Sequence, residues 1–405
     1  MICNMKRRER KTVLAFFLIQ CYTVGYQRIY ALKYREERFM KRKIMALVLS
    51  MAMTASVLAG CGTVGGDSAK KSESQEAADN TQEEDNTEKE DAESEDNSEE
   101  KEDAAGTESA DGKVYKIGIC QQLEHQALDA ATEGFKAALV EKLGEGNVEF
   151  DYQNAQGEQP NCATIATKFV NDNVDLIMAN ATTALQACAA ATADIPVVGT
   201  SVTDFVEAGV VDSNDAPGRN VTGTSDLAPI DQQIELLVKL IPEADKVGIM
   251  YCSAEANSVF QAEKAEEALD AKGISHERYT VADSNDIQQV ITKAVGECDV
   301  IYIPTDNTIA NNMEGVKNVA VPAGIPIICG EENMCAGGGL ATLSISYYNI
   351  GYNAGIMAYE ILTEGKNPAE MPIQYADEVV EKYNAEVAEA LKMEMPSDMA
   401  VIGEE

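Results

Sequence analysis

DKVGIMYC, residues 245–252, repeats a pattern the chain has already used once, VYKIGICQ at residues 114–121. In each, a lysine (Lys116, Lys246) opens an unbroken run of apolar and small residues. Such a run lacks polar alternation and is too short for a helix, which predicts a strand covered on both faces, as in a parallel sheet. Two further pairs follow in the same order. VDLIMANATT (174–183) answers CDVIYIPTDNT (298–308), and IPVVGTSVTD (195–204) answers IPIICGEEN (325–333). Lys116 and Lys246 are 130 residues apart, as are Ile195 and Ile325. A period this long predicts two lobes of like topology, residues 113–227 and 228–340, rather than a solenoid.

The stretches between the runs read as helices. LDAATEGFKAALVEKLG (128–144) is amphipathic and stops at Gly144, and NCATIATKFVNDN (161–173) and TTALQACAAATAD (182–194) follow the next two strands. Strands alternating with helices predict an α/β fold of two Rossmann-like lobes with parallel sheets, joined by a hinge. A last segment, 341–405, is expected to cross over. It begins with a strand, continues with a helix from about Tyr347 to Leu362, and sends its C-terminal helices back to the first lobe. Lobes joined by crossing segments form a hinged clamp with a ligand site between them.

Charge divides the chain of 405 residues into three parts. The formal net charge is −36. Residues 1–60 hold 12 Lys/Arg against 3 acids, residues 62–112 hold 19 acids against 4 Lys, and the remainder carries −30. A body this acidic repels nucleic acid and anionic membrane surfaces, so neither is an expected partner. From Met40 the basic part reads MKRKIMALVLSMAMTASVLAGC. Lys41, Arg42 and Lys43 precede an apolar stretch, Ile44 to Leu58, that is short for a membrane span and suits a signal peptide over 40–60. Its end, Leu-Ala-Gly-Cys, resembles a bacterial lipobox, which makes Cys61 the expected lipid anchor and mature N-terminus. Stable anchoring on two or three acyl chains would hold the protein outside the cytoplasm on the cell membrane. Residues 1–39 fit no part of this scheme and read as a mis-assigned extension upstream of Met40. Residues 61–112 have no apolar residue larger than Ala from Asp67 to Gly112, and read as a disordered acidic tether.

Seven cysteines lie in the body: Cys120, Cys162, Cys188, Cys252, Cys298, Cys329 and Cys335. There is no CxxC, and the chain has only two histidines, His125 and His276, which argues against a Cys/His zinc site. Most of these cysteines sit inside apolar runs and read as small buried hydrophobes. No metal and no cofactor is expected.

Ligands of open parallel sheets bind beyond the carboxyl ends of the strands. Here those ends read QQLEHQALD, NATT and SVTD in the first lobe, and YCSAEANS, PTDNT and GEEN in the second. All are rich in short polar residues, and each lies where a helix should begin. Helix N-termini with Ser, Thr and Asn donors can hold a carboxylate without an arginine. Asp306 and Glu124 could hold an ammonium group. The pattern suits a zwitterion such as an amino acid, although Ser, Thr, Asp and Asn are equally the ordinary N-caps of helices.

The body resembles the tryptophan/tyrosine-type substrate-binding proteins of ABC importers, which have a type I periplasmic-binding-protein fold. The stretches that carry the resemblance include IGICQQLEHQALDAATEGFKAAL, NAQGE, VDLIMANATTALQA, IPVVGTSVTDF, GRNVTGTSDLAPIDQQIELL, GIMYCSAEANSVFQ, YIPTDNTIANNM and SISYYNIGYNAG, which together cover nearly all of 113–370. Gln126 and Phe205 stand where the family's usual prolines would be. The resemblance implies capture of a small solute, an aromatic amino acid, for a membrane ABC permease. It implies ligand contacts at Gln121, Glu124, His125, Thr182, Thr203, Asp204, Asn257, Ser258, Asp306, Asn307 and Glu331. The chain has no Trp, so Tyr251, Phe205, Tyr347 and Tyr348 are the candidate aromatic walls. A sugar, a nucleoside or another small metabolite on the same fold is the alternative. An enzyme is not expected: there is no GxGxxG after the first strand, no GxxxxGK[ST] and no GxSxG, and His125 has no nucleophile beside it. Nor is a sensor ectodomain, since no signalling part follows the body. The protein is expected to work as a monomer.

Overall fold

The computed structural model describes residues 113–376 and 378–403. The leader, Cys61 and the acidic tether lie outside the described residues.

The first lobe follows the alternation of apolar runs and helices. Its elements are β1 (Tyr115–Gln121), α1 (Gln126–Leu143), β2 (Val148–Asn154), α2 (Gln159–Asn171), β3 (Leu176–Asn180), α3 (Thr182–Ala191), β4 (Val197–Val202) and β5 (Val221–Ser225). The strands form one parallel sheet in the order β2-β1-β3-β4-β5. Both faces are covered. Ile117, Ile119, Leu176 and Met178 pack with Phe135 and Leu139 of α1, while Cys120, Ile177 and Val197 pack with Phe169 of α2 and Leu185 of α3. Each such side chain, fully buried, contributes about 1.5–3 kcal/mol.

The second lobe repeats the design with α4 (Ile230–Leu240), β6 (Lys246–Cys252), α5 (Ala256–Lys272), β7 (Ser275–Val281), α6 (Ile287–Ala294), β8 (Val300–Ile303), α7 (Asn307–Ala310), α8 (Met313–Ala323), β9 (Ile327–Cys329), α9 (Glu332–Gly338) and β10 (Ala341–Ser344). Left-handed glycines end two of its helices, Gly273 after α5 and Gly324 after α8. The tail consists of α10 (Tyr347–Glu364), β11 (Val380–Tyr383), α11 (Ala385–Leu391) and β12 (Ala400–Val401).

This tail differs from the expectation that residues 341–405 form one segment returning to the first lobe. β10 belongs to the second sheet, whose order is β12-β11-β10-β9-β8-β6-β7. In the first lobe, α10 packs along α1, and residues 369–374 after it lie against β5 and the turn before it. The chain then recrosses, β11 pairs antiparallel with β10, and β12 closes the edge. β11 and β12 are short and partly exposed, so neither carries an apolar run that a sequence reading could detect.

The α1–α10 contact depends on glycine. A Cβ on Gly351 would lie 2.0 Å from the Ala131 carbonyl oxygen, and one on Gly134 would lie 2.1 Å from that of Tyr348. Three connections therefore join the lobes: after β5, between β10 and α10, and from residue 371 to β11. On the last, Gln374 docks beside β5, where its carbonyl accepts from Ser225 N at 2.7 Å. All seven body cysteines are buried free thiols.

Candidate ligand cleft

The strand-end loops of the two lobes meet through side chains. His125, at the start of α1, places Nε2 3.1 Å from Oδ1 of Asn307, which opens α7. Asn307 in turn donates through Nδ2 to Glu255 Oε2 at 2.7 Å. Nearer the hinge, Gln261 of α5 donates to Thr203 Oγ1 of the first lobe at 3.3 Å. Thr182, Asp204 and Asn257 close around a pocket of about 10 Å³, room for a single water, with Phe260 at its rim. On the other flank, His125 and Glu331 border a pocket of about 270 Å³. Burial lowers the His125 pKa, outweighing its bond to Asn307 and the charge of Glu255, so the ring is neutral.

The backbone is strained where these loops leave the first sheet. Ala181, after β3, has φ 84°, and Ser201, in β4, has φ 55°. Non-glycine residues in this region cost about 1–3 kcal/mol each and cluster at ligand sites and switches. Ser201 Oγ and Asn257 Oδ1 are buried without a partner. A buried polar atom left unpaired costs about 1–3 kcal/mol, and a ligand that bonds it recovers that cost.

Not every residue singled out by sequence faces this cleft. Gln121 is consumed inside the first lobe, accepting from Thr132 Oγ1 at 2.7 Å and donating to Asp129 at 2.6 Å. Glu124 is exposed on the rim and accepts from Tyr152 OH at 3.2 Å. Asp204 caps its own turn, accepting from Val206 N and Glu207 N. Asp306 caps α7 through Ile309 N at 2.8 Å, accepts Cys252 N at 2.6 Å and is bonded by the buried Ser258. Glu331 caps α9 through Asn333 N and Met334 N. These two carboxyls are therefore turned onto helix ends. Burial pushes both pKa values up to about 7, with the charge of Glu255 adding to the effect at Asp306.

The aromatic walls are corrected as well. Tyr251 lies in the core of the second lobe with its hydroxyl bonded by Arg278 at 3.1 Å. Phe205 is fully buried in the core of the first lobe. Tyr348 is exposed on α10. Tyr347 sits at the hinge, donating its hydroxyl to Asp226 at 2.9 Å.

Three residues at this centre were not singled out by sequence. Glu255 accepts from Asn307 N and Nδ2 and from Thr308 N and Oγ1. Gln261 spans the lobes, and Asp226 lies where β5 leaves the first sheet. Glu255 and Asp226 each stand at a strand-end loop as the sole acid among small polar residues, a signal that was present in the sequence.

A family model described as ABC transporter substrate binding protein matches residues 116–405. The chain belongs to this family. A relative named Tyrosine-binding protein, from Clostridioides difficile (strain R20291), is 37% identical over 356 residues, covering 87% of this chain and 93% of the relative. Among solved structures, the ABC domain in complex with L-Trp from Streptococcus pneumonia is 31% identical, covers 71% of this substrate-binding protein and 99% of its own chain, and superposes with a TM-score of 0.69. The ligand-free, open structure of a substrate binding protein with adhesive properties from Clostridium difficile is 39% identical, covers 72% and 100%, and gives 0.57. This family member is thus nearer in shape to the L-Trp complex than to the open form, although its sequence is nearer to the open one. More distant binding proteins at 15–16% identity share the type I periplasmic-binding-protein fold alone.

Proposed function

We propose that this substrate-binding protein captures an aromatic amino acid (tyrosine, tryptophan or phenylalanine) outside the cytoplasm and presents it to a membrane ABC permease. One observation carries the ligand class: the six strand-end loops at the cleft contain no Lys or Arg and are rich in acids and short polar residues. Such a cleft disfavours phosphates and dicarboxylates and favours a ligand that brings its own ammonium group. The ligand's carboxylate would rest on unpaired N–H groups at the start of α3, which has no side-chain cap, beside the hydroxyl of Ser201. The names of the C. difficile relative and the S. pneumonia complex support the aromatic side chain.

Closure works as a clamp. A ligand touching both lobes favours the state in which His125 meets Asn307 and Gln261 meets Thr203 by its differential contacts with that state. Cys61 is the proposed lipid anchor, the acidic stretch up to residue 112 the tether, and a monomer the working form. A thermal-shift panel of the twenty amino acids, common sugars and nucleosides tests the reading. An aromatic amino acid at 100 times its Kd should stabilise the chain by about 2.7 kcal/mol. A shift confined to sugars or nucleosides would replace this reading with another ligand class.

A further inference from the structure

A cavity of about 500 Å³ opens beside the second and third connections between the lobes. Ser346 and Ala376 of those connections line it, whereas His125, Asn307, Thr203 and Gln261, which fasten the lobes at the cleft, do not. Both lobes supply its walls. Tyr348, Asn349 and Asn353 belong to α10, which packs on the first lobe, while Glu332 of α9 and Lys382 of β11 belong to the second. Its volume is in the range of small-molecule sites.

The polar groups of this cavity are only partly used. Glu332 and Lys382 form an ion pair at 2.7 Å, so their charges cancel. Glu332 also accepts from Ser344 Oγ at 3.2 Å. The carboxylate is left with about two of its four lone-pair sites, and the ammonium with about two of its three donors. Asn349 and Asn353 stand one turn apart on α10, and neither side-chain amide has a hydrogen bond among the described residues. Tyr348, 43% exposed, adds an aromatic ring.

These features select a class of solute. An anion would meet Glu378 as well as Glu332, with Lys382 already engaged. A zwitterion would have to break the Glu332–Lys382 pair to find partners for its own charges. A neutral solute with many hydroxyls breaks nothing. It uses the spare capacity of the pair and of both amides, and its C–H face suits the Tyr348 ring.

The geometry points to a second site here, for a neutral polyhydroxylated solute such as a sugar or polyol, separate from the cleft and independent of the amino-acid reading. Because both lobes wall the cavity, a solute that fits it favours this arrangement of the lobes. That arrangement is nearer to the L-Trp complex than to the open form. Occupancy of the second site therefore tightens binding in the cleft, and by reciprocity the cleft ligand tightens the second site.

The test is saturation-transfer NMR on the purified full chain, with D-glucose, N-acetyl-D-glucosamine, trehalose and sorbitol as probes, each run with and without L-tyrosine. At least one probe should show saturation transfer that persists when L-tyrosine is added. The double variant Asn349→Ala, Asn353→Ala should weaken that probe by about tenfold or more, as for two lost hydrogen bonds, and leave the L-tyrosine affinity measured without probe unchanged. The bound probe should tighten L-tyrosine by about fivefold. No transfer to any of the four probes overturns the site. So does transfer that L-tyrosine displaces, or that the double variant leaves intact, since either places the sugar elsewhere. An L-tyrosine affinity unmoved by a bound probe overturns the coupling. If no aromatic amino acid binds the chain, the cleft reading fails, and the response of the probe to the double variant still decides this site.

Discussion

His125 Nε2 of the first lobe lies 3.1 Å from Asn307 Oδ1 of the second, so the closed cleft is fastened by protein atoms on both sides. This bond exists only when the lobes are together. His125→Ala should therefore weaken ligand binding by about 1 kcal/mol, roughly fivefold in Kd, mainly through faster dissociation. Stopped-flow dissociation of bound ligand checks it. An unchanged off-rate would remove the pair from the closed state.

The stability of the folded chain should depend on pH in a direction set by its buried acids. Asp226, Asp306 and Glu331 titrate in the folded state at about 6, 7 and 7, above ordinary carboxyls. A raised acid binds protons more readily folded than unfolded. Its stabilising share is complete below about pH 4 and is lost as pH rises through 6 to 7. His125, with its lowered pKa, acts oppositely and weakens the fold as pH falls below about 6.5. Three acids outweigh one histidine, so the unfolding midpoint should be higher at pH 5.5 than at pH 8. Glu331→Gln should flatten the profile between those values.

Gly351→Ala forces a methyl group to within 2.0 Å of the Ala131 carbonyl oxygen, a backbone atom that cannot swing aside. The helices α1 and α10 would have to separate. A loss of about 2–4 kcal/mol is expected from overpacking of this kind, read in urea unfolding as a lower midpoint at an unchanged slope.

The seven body thiols are buried and unpaired. They should resist an aromatic disulfide reagent in native buffer and react only after denaturation, and a reductant should leave the unfolding midpoint where it was. Burial raises the thiol pKa at Cys252 and Cys298, which reinforces their inertness.

The two-lobed plan was legible because its strands are buried on both faces, so each appears as an apolar run, and because the second lobe repeats the first. The edge strands β11 and β12 were not, since half-exposed pairs at a sheet edge leave no such run. The site was legible at the level of loops and illegible at the level of roles. Asp306 and Glu331 were recognised as strand-end acids, but their carboxyls turned back onto helix ends. That choice depends on φ, ψ and neighbouring N–H groups, which composition does not encode. Tyr251 and Phe205 point into the lobes rather than between them, because period-two alternation along a strand, or a single turn after it, decides which face a ring takes.

The central claim is that the cleft binds an aromatic amino acid. Isothermal titration of the purified chain with L-tyrosine, L-tryptophan and L-phenylalanine tests it most directly, with L-glutamate and glucose as comparators. The prediction is saturable binding of at least one aromatic amino acid at one site per chain, micromolar or tighter, with a negative heat-capacity change from the ring it buries, and no binding of glutamate. Saturable binding of glutamate or glucose with no heat from any aromatic amino acid would contradict it.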